Sequence, residues 1–237
     1  MLSAMTVTAQ RERPARAPLS RRQVLRAALD YVDQHGLDAL SMHKLGAELG
    51  VKAMSLYKHV ADKDDLLDGI VELLWNEIPA ELPAGDWREA IRQLAAALRG
   101  LVHRHPHAAS LLYSRQELRE RPLRLAHGIL RLMRTSGVPE HCAVALLRTV
   151  FPYGIGYALA ELSLPTPPPP GPDSQIALIR QVSGMLSPEA SDELVRTALL
   201  VCGDCDMTVQ FRIGVDLMIR GLDAYLATLD KDAAAVR

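Results

Sequence analysis

The sequence predicts an all-α fold: an N-terminal three-helix helix-turn-helix domain followed by a larger helical domain. Three observations predict it. Apolar residues recur at i, i+3, i+4, i+7 through most of the chain. No stretch alternates apolar and polar residues as a half-buried strand would. Glycine and proline fall at the breaks between the helical stretches.

Taken in order, the elements justify themselves locally. Ser20 is an N-cap type, and Leu25, Ala28, Leu29 and Val32 form a stripe that stops at Gly36. A second helix is predicted at Met42–Leu49, capped by Ser41 and ended by Gly50, and a third at Ala53–His59. The fourth begins after Asp62 and carries Leu66, Leu67, Ile70, Val71 and Leu74 on its apolar face. Further helices are predicted at Asp86–His103, Ala108–Tyr113, Arg119–Ser136, Glu140–Leu162, Ser174–Leu186, Glu189–Val201 and Asp204–Leu229, with Pro106, Pro139 and Pro188 at the breaks. The expected organisation is a basic tail (1–18), a helix-turn-helix domain (19–65) and a helical body (66–230). A Pro-rich loop (163–173) interrupts the body, and its core LPTPPPPGP can be neither helix nor inner strand.

Composition narrows the function classes. The 237 residues are 49% hydrophobic and carry a net charge of −1, which excludes a uniformly basic nucleic-acid packer and an acidic disordered chain. No apolar run is expected to span a membrane, and no secretory signal opens the chain, so a cytoplasmic protein is expected. Three cysteines are too few for a disulfide scaffold. The charge is uneven: residues 1–63 hold 10 Lys+Arg against 6 Asp+Glu, and residues 64–237 hold 17 against 22. A basic head on an acidic body suggests that the head meets a polyanion. The tail, made basic by Arg11, Arg13 and Arg16 with Arg21 and Arg22 beyond it, reads either as a solubilising arm or as an arm lying on DNA.

Ser41–Val60, SMHKLGAELGVKAMSLYKHV, meets the physical criteria for a helix-turn-helix. Gly46 permits close crossing of two short helices, and Gly50 tolerates the sharp turn. Leu45, Leu49, Val51, Leu56 and Val60 form the inner faces. The outward residues of the second helix are Lys52, Ala53, Met54, Ser55, Tyr57, Lys58 and His59, types that meet phosphates, base edges and thymine methyls. An ordinary helical hairpin with a solvated face is the alternative.

The wider stretch Leu19–Trp75, and above all LGVKAMSLYKHVADKDDLLD, closely resembles the N-terminal domain of the TetR/AcrR family of bacterial transcriptional regulators. The resemblance implies a homodimer reading a palindromic operator in double-stranded DNA. It implies phosphate contacts from Tyr57, His59 and Lys63, and base contacts from Lys52, Ala53, Met54, Ser55 and His43. Met42 and Lys44, beside His43, complete the implied DNA face, and Lys58 adds a phosphate or guanine contact. Tetracycline repressors often carry polar side chains at the positions of Ala53 and Met54, so a different operator is implied.

The body resembles, more weakly, the tetracycline-repressor ligand-binding and dimerisation domain. That implies a small-molecule effector and a four-helix dimer bundle built from Glu140–Leu162 and Asp204–Leu229, with Gly154, Gly156, Ala158, Gly214 and Gly221 at the close-packing positions. Trp75, Leu112, Tyr113, His127, Met133, Phe151 and Tyr153 are the candidate effector contacts, each of them a type of residue more often core than ligand contact. The histidine that holds the drug's magnesium in tetracycline repressors falls near Ser110, which argues against that effector. His103, His105 and His107 read as solvated or capping residues rather than metal ligands, and Cys202-Gly-Asp-Cys205 reads as a helix junction rather than a redox pair. No cofactor, metal or membrane partner is expected. No phosphate loop, zincin pair or nucleophile elbow supports an enzyme. The expected function is a ligand-responsive repressor, with an activator or a TetR-fold small-molecule binding protein as the alternatives.

Overall fold

The computed structural model describes residues 18–79, 85–115, 119–164, 171, 173–202 and 206–235. Most of the basic tail, most of the LPTPPPPGP loop and Cys205 lie outside the described residues, as does the side chain of Cys202.

The described elements are α1 (Arg21–His35), a 3-10 turn (Leu37–Ala39), α2 (Met42–Glu48), α3 (Ala53–Leu56) and α4 (Lys63–Asn76). They continue as α5 (Trp87–Arg104), α6 (Leu111–Ser114), α7 (Glu120–Thr135), α8 (Glu140–Ser163), α9 (Ser174–Ser183), α10 (Asp192–Cys202) and α11 (Met207–Ala235). No strand occurs among the described residues. The caps are those the residue types call for. Ser20 and Gln23 form a reciprocal capping box, Ser41 accepts from the Lys44 N–H, and Asp62 accepts from the Asp65 N–H.

Boundaries depart from the sequence expectation where turns intervene. The third helix ends at Leu56, not His59, because the chain tightens: His59 N donates to Leu56 O at 2.8 Å, and Tyr57–His59 form a turn. Ala108–Ser110 are likewise a turn before α6, since the N–H groups of Ala108 and Ala109 both donate to the His105 carbonyl. The tenth helix starts at Asp192 rather than Glu189, with Ser191 Oγ accepting from Leu194 N at 3.3 Å.

A continuous core runs from head to body. Leu29, Leu45 and Leu56 anchor the head, Ile70 and Leu74 carry the core along α4, and Trp87, Ile91, Leu94 and Leu98 fill the body. Helix α5 is the spine. It crosses α8 where Gly154 lies against Leu98 and the Ala95 carbonyl, with room for no Cβ. Three arginines of α5 staple the neighbouring helices: Arg88 to Asp223 (2.9 and 2.5 Å), Arg92 to Asp216 (2.8 Å), and Arg99 to Glu161 (2.9 and 2.6 Å).

Helix α8 is, by length and composition, long and apolar enough to cross a membrane. Part of its apolar girth packs against α5, α7 and α11. Of the small residues expected at close-packing positions of the two helices, Gly154 and Ala158 are buried within the chain, and Gly214 packs under the Tyr153 ring of α8. Gly156 and Gly221 do face open space. They belong to an outward surface that also holds Ala145, Thr149, Pro152 and Ala160 on α8 and Ile213, Leu217 and Ala224 on α11.

Candidate functional site

Helix α3 has four residues, too few to hold its shape alone. Its support is backbone contact with α2. A Cβ on Gly46 would lie 2.9 Å from the Val51 carbonyl oxygen and 3.1 Å from the Ala53 nitrogen, and Val51 N donates to Gly46 O at 2.8 Å. Gly50, at φ 65°, turns the chain between the two helices. Leu45, Leu56 and Val60 are buried beneath.

This scaffold holds one face outward. Met54 is 74% exposed and Tyr57 45%. His43, Lys44, Lys52, Lys58 and Lys63 are exposed, and Ser55 and His59 are half-buried. Met42 is the exception. It is buried in the core, because the first residue after the Ser41 cap turns its side chain inward, so it leaves the expected DNA face. Ala53 is half-buried against Gly46.

Arg21 does work the sequence does not announce. Its guanidinium holds Asp65 through two hydrogen bonds of 2.9 and 2.6 Å and donates to the His59 carbonyl at 2.8 Å. Asp65 also accepts from Ala61 N at 2.8 Å. The first turn of α1 thus locks the turn after α3 to the start of α4. The hydrogen bonds from Arg21, together with the Ala61 N–H, bring the Asp65 carboxyl down from 3.8 to about 2. An acidic first turn suits any helix, so no sequence signal singles out this pair.

An open pocket of about 350 Å³ lies between α5, α7 and α8. Its walls are Leu94, then Pro122, Leu125, Ala126 and Ile129 from α7, and Leu147, Arg148, Phe151 and Pro152 from α8. Arg148, at its edge, is the one charged residue among them. Of the seven candidate effector residues, Phe151 lines this cavity and Trp75 stacks on it at 5.3 Å. Met133 is core, Leu112 is half-buried, Tyr113 and His127 are exposed, and Tyr153 donates to the Phe211 carbonyl at 3.1 Å. None of these five lines the cavity.

Two further arginines join the cavity wall and its flanks to α4. Arg121, beside Pro122, donates to the carbonyls of Trp75 (2.9 Å), Asn76 (3.2 Å) and Ile78 (2.9 Å) at the C-terminal end of α4. Arg115, just after α6, holds the other end through the Asp64 carbonyl at 2.9 Å and Asp68 at 2.6 Å, and through the Asp64 carboxylate. Of the three histidines around Pro106, His103 in the last turn of α5 and His107 are exposed, as expected, while His105, at the cap position of α5, is buried. His103 meets Glu161 at 2.9 Å, His107 meets the Val32 carbonyl at 3.2 Å, and His105 is buried between two carboxylates. No group of three or more metal-ligating side chains converges among the described residues.

A pinned short helix with a cationic outward face, joined through one clasped helix to a body with an apolar pocket, is the arrangement that the resemblance to the TetR family leads one to expect. Comparison with known proteins agrees. Residues 24–70 match the family described as "Bacterial regulatory proteins, tetR family", and residues 78–226 match the "Tetracyclin repressor-like, C-terminal domain". The chain belongs to the TetR family of bacterial regulatory proteins. It is 34% identical over 155 residues to the HTH-type transcriptional repressor DrrR1 of Streptomyces coeruleorubidus, an alignment covering 63% of this chain and 57% of that repressor's length. A possible TetR family transcriptional regulator from Streptomyces coelicolor A3(2) superposes with a TM-score of 0.71 at 28% identity, over 87% of this chain and 100% of that one. ActR of Streptomyces coelicolor, in complex with actinorhodin, superposes with a TM-score of 0.69 at 25% identity, over 88% of this chain and 97% of that one.

Proposed function

We propose that this chain is a dimeric, cytoplasmic repressor that a small molecule releases from a palindromic operator, and that it acts by binding rather than by catalysis. The observation that carries the reading is the α2–α3 contact at Gly46, which fixes an outward face of exposed cations around Tyr57 and Met54. Tyr57, His59, Lys58 and Lys63 are assigned to phosphates, and His43, Lys44, Lys52, Met54, Ser55 and the outer part of Ala53 to the major groove. The outward surface of α8 and α11 is assigned to the second subunit, which would set the two heads about 34–36 Å apart, one turn of DNA.

The effector fits the pocket by chemistry: an apolar body, with any polar end near Arg148. That ActR forms a complex with actinorhodin supports a small-molecule effector for a protein of this fold. A molecule wedged between α7 and α8 would push on Pro122, and Arg121 would carry the displacement to the end of α4. The ligand shifts the balance only by its differential affinity for the two arrangements.

Selection of duplex DNA on the purified protein, at fixed near-physiological salt, tests the reading. Enrichment of one short palindrome is expected. A folded dimer that enriches nothing would overturn the operator-binding role.

A further inference from the structure

The head and body meet at a buried histidine. His105, at the end of α5, lies 2.7 Å through Nδ1 from Asp33 Oδ2 on α1, and 3.0 Å through Nε2 from Glu77 Oε1 after α4. The residue is only 9% exposed. The second oxygen of Asp33, Oδ1, is buried with no hydrogen-bond partner among the described residues, so Asp33 depends on the imidazole. Around this line stand Arg104 on α5, 2.9 Å from Glu77, and Arg26 on α1, 3.9 Å from Glu77. His107 is turned onto the Val32 carbonyl.

Hydrogen-bond valence decides what this geometry needs. A neutral imidazole has one N–H and one bare nitrogen, while an ionised carboxylate only accepts. Both short contacts are hydrogen bonds only when both ring nitrogens carry hydrogen. With one proton gone, a lone pair faces a carboxylate in a site with little water to intervene. We infer that Asp33, His105 and Glu77 form a proton-dependent clasp that sets the seat of the helix-turn-helix head on the body, with His105 as its positioning residue. With both ring nitrogens bearing hydrogen each carboxylate accepts from the imidazole, and with either N–H absent one of the two contacts is lost. Glu77 is suited to its part. Burial opposes its charge, but Arg104 and His105 outweigh that and hold its carboxyl below the ordinary glutamate value. The clasp touches α1, α4 and α5, and no atom of it lines the effector cavity. It therefore acts from a site separate from the ligand's, on the same end of α4 that Arg121 holds.

The inference rests on reading α1–α4 as an operator-binding head. Two of its three tests need no DNA, so a failure of that reading is distinguishable. In the full wild-type chain with nitrogen-15 histidine, both His105 ring nitrogens are expected to show hydrogen-bearing shifts at about pH 6. A ring with one bare nitrogen there overturns the clasp, whatever any variant does. Thermal midpoints give the second test. Between about pH 6 and about pH 9 the wild type should lose about 2–4 °C relative to His105→Arg, which keeps its charge throughout. Parallel profiles would overturn it. The third test uses the selected duplex at fixed salt. The ratio of wild-type to His105→Arg operator affinity should change about fivefold over the same range. A constant ratio overturns the positioning role.

Discussion

Arg121 Nε donates to the Trp75 carbonyl across 2.9 Å, so the first turn of α7 holds the last turn of α4 by its backbone. The same guanidinium reaches Asn76 O and Ile78 O, carbonyls that a helix end leaves without intrahelical donors. Removing it should matter twice. Arg121→Ala should lower stability by about 1–3 kcal/mol through lost charge-assisted hydrogen bonds, read by urea denaturation. It should also weaken the response of operator binding to a molecule seated beside Pro122. Unchanged release by an effector in the variant would show that the displacement travels another way.

Contacts on the outward face should separate by kind. Tyr57→Ala should weaken binding to every duplex by a similar factor. Lys63→Ala should do the same and reduce the salt slope by about one counterion. Met54→Gln should instead change which base pairs are preferred, by about 1–3 kcal/mol at the affected position. Competition binding on a panel of operator variants, at several salt concentrations, distinguishes these outcomes.

Gly46→Ala tests the scaffold beneath that face. The added methyl would stand 2.9 Å from the carbonyl oxygen of Val51, a turn residue whose N–H is held by the Gly46 carbonyl. We expect a loss of about 1–3 kcal/mol and a drop in operator affinity larger than that of any single outward substitution. Calorimetry and DNA binding on the same sample check both parts.

The Arg21–Asp65 lock should give the head an acid limit. The folded-state carboxyl titrates at about 2 against an ordinary 3.8, so the lock's contribution is complete above the ordinary value. It is lost as the pH falls from about 4 towards 2. Asp65→Asn should remove that acid-dependent part and leave a flatter stability profile. The comparison is made by following unfolding of both proteins across this range.

The elements themselves are largely legible in the chain, because caps and turn glycines act locally. Ser20, Ser41 and Asp62 cap as their types suggest, and Gly46 and Gly50 sit where the close crossing and the sharp turn need them. What escapes is whatever depends on two distant segments meeting. Helical spacing on α7 cannot tell that Ala126, and not His127, faces Phe151, since the crossing with α8 decides it. Arg21 lies among tail arginines and carries no mark of its contact with Asp65, 44 positions on. Phe151 and Tyr153 illustrate the same limit within one helix. They are two residues apart, so one reaches the cavity and the other turns to Phe211.

Helix α8 serves three masters at once. One edge walls the cavity through Phe151 and Pro152, another fills the core through Gly154 and Ile155, and a third, from Ala145 through Gly156 to Ala160, lies open. A change that retunes one edge shifts the helix axis for the other two. Taste for a new inducer cannot therefore drift freely along this helix: each new specificity must be invented together with a compatible way of pairing. Diversification of sensing is easier on α7, whose far side owes nothing to a neighbour.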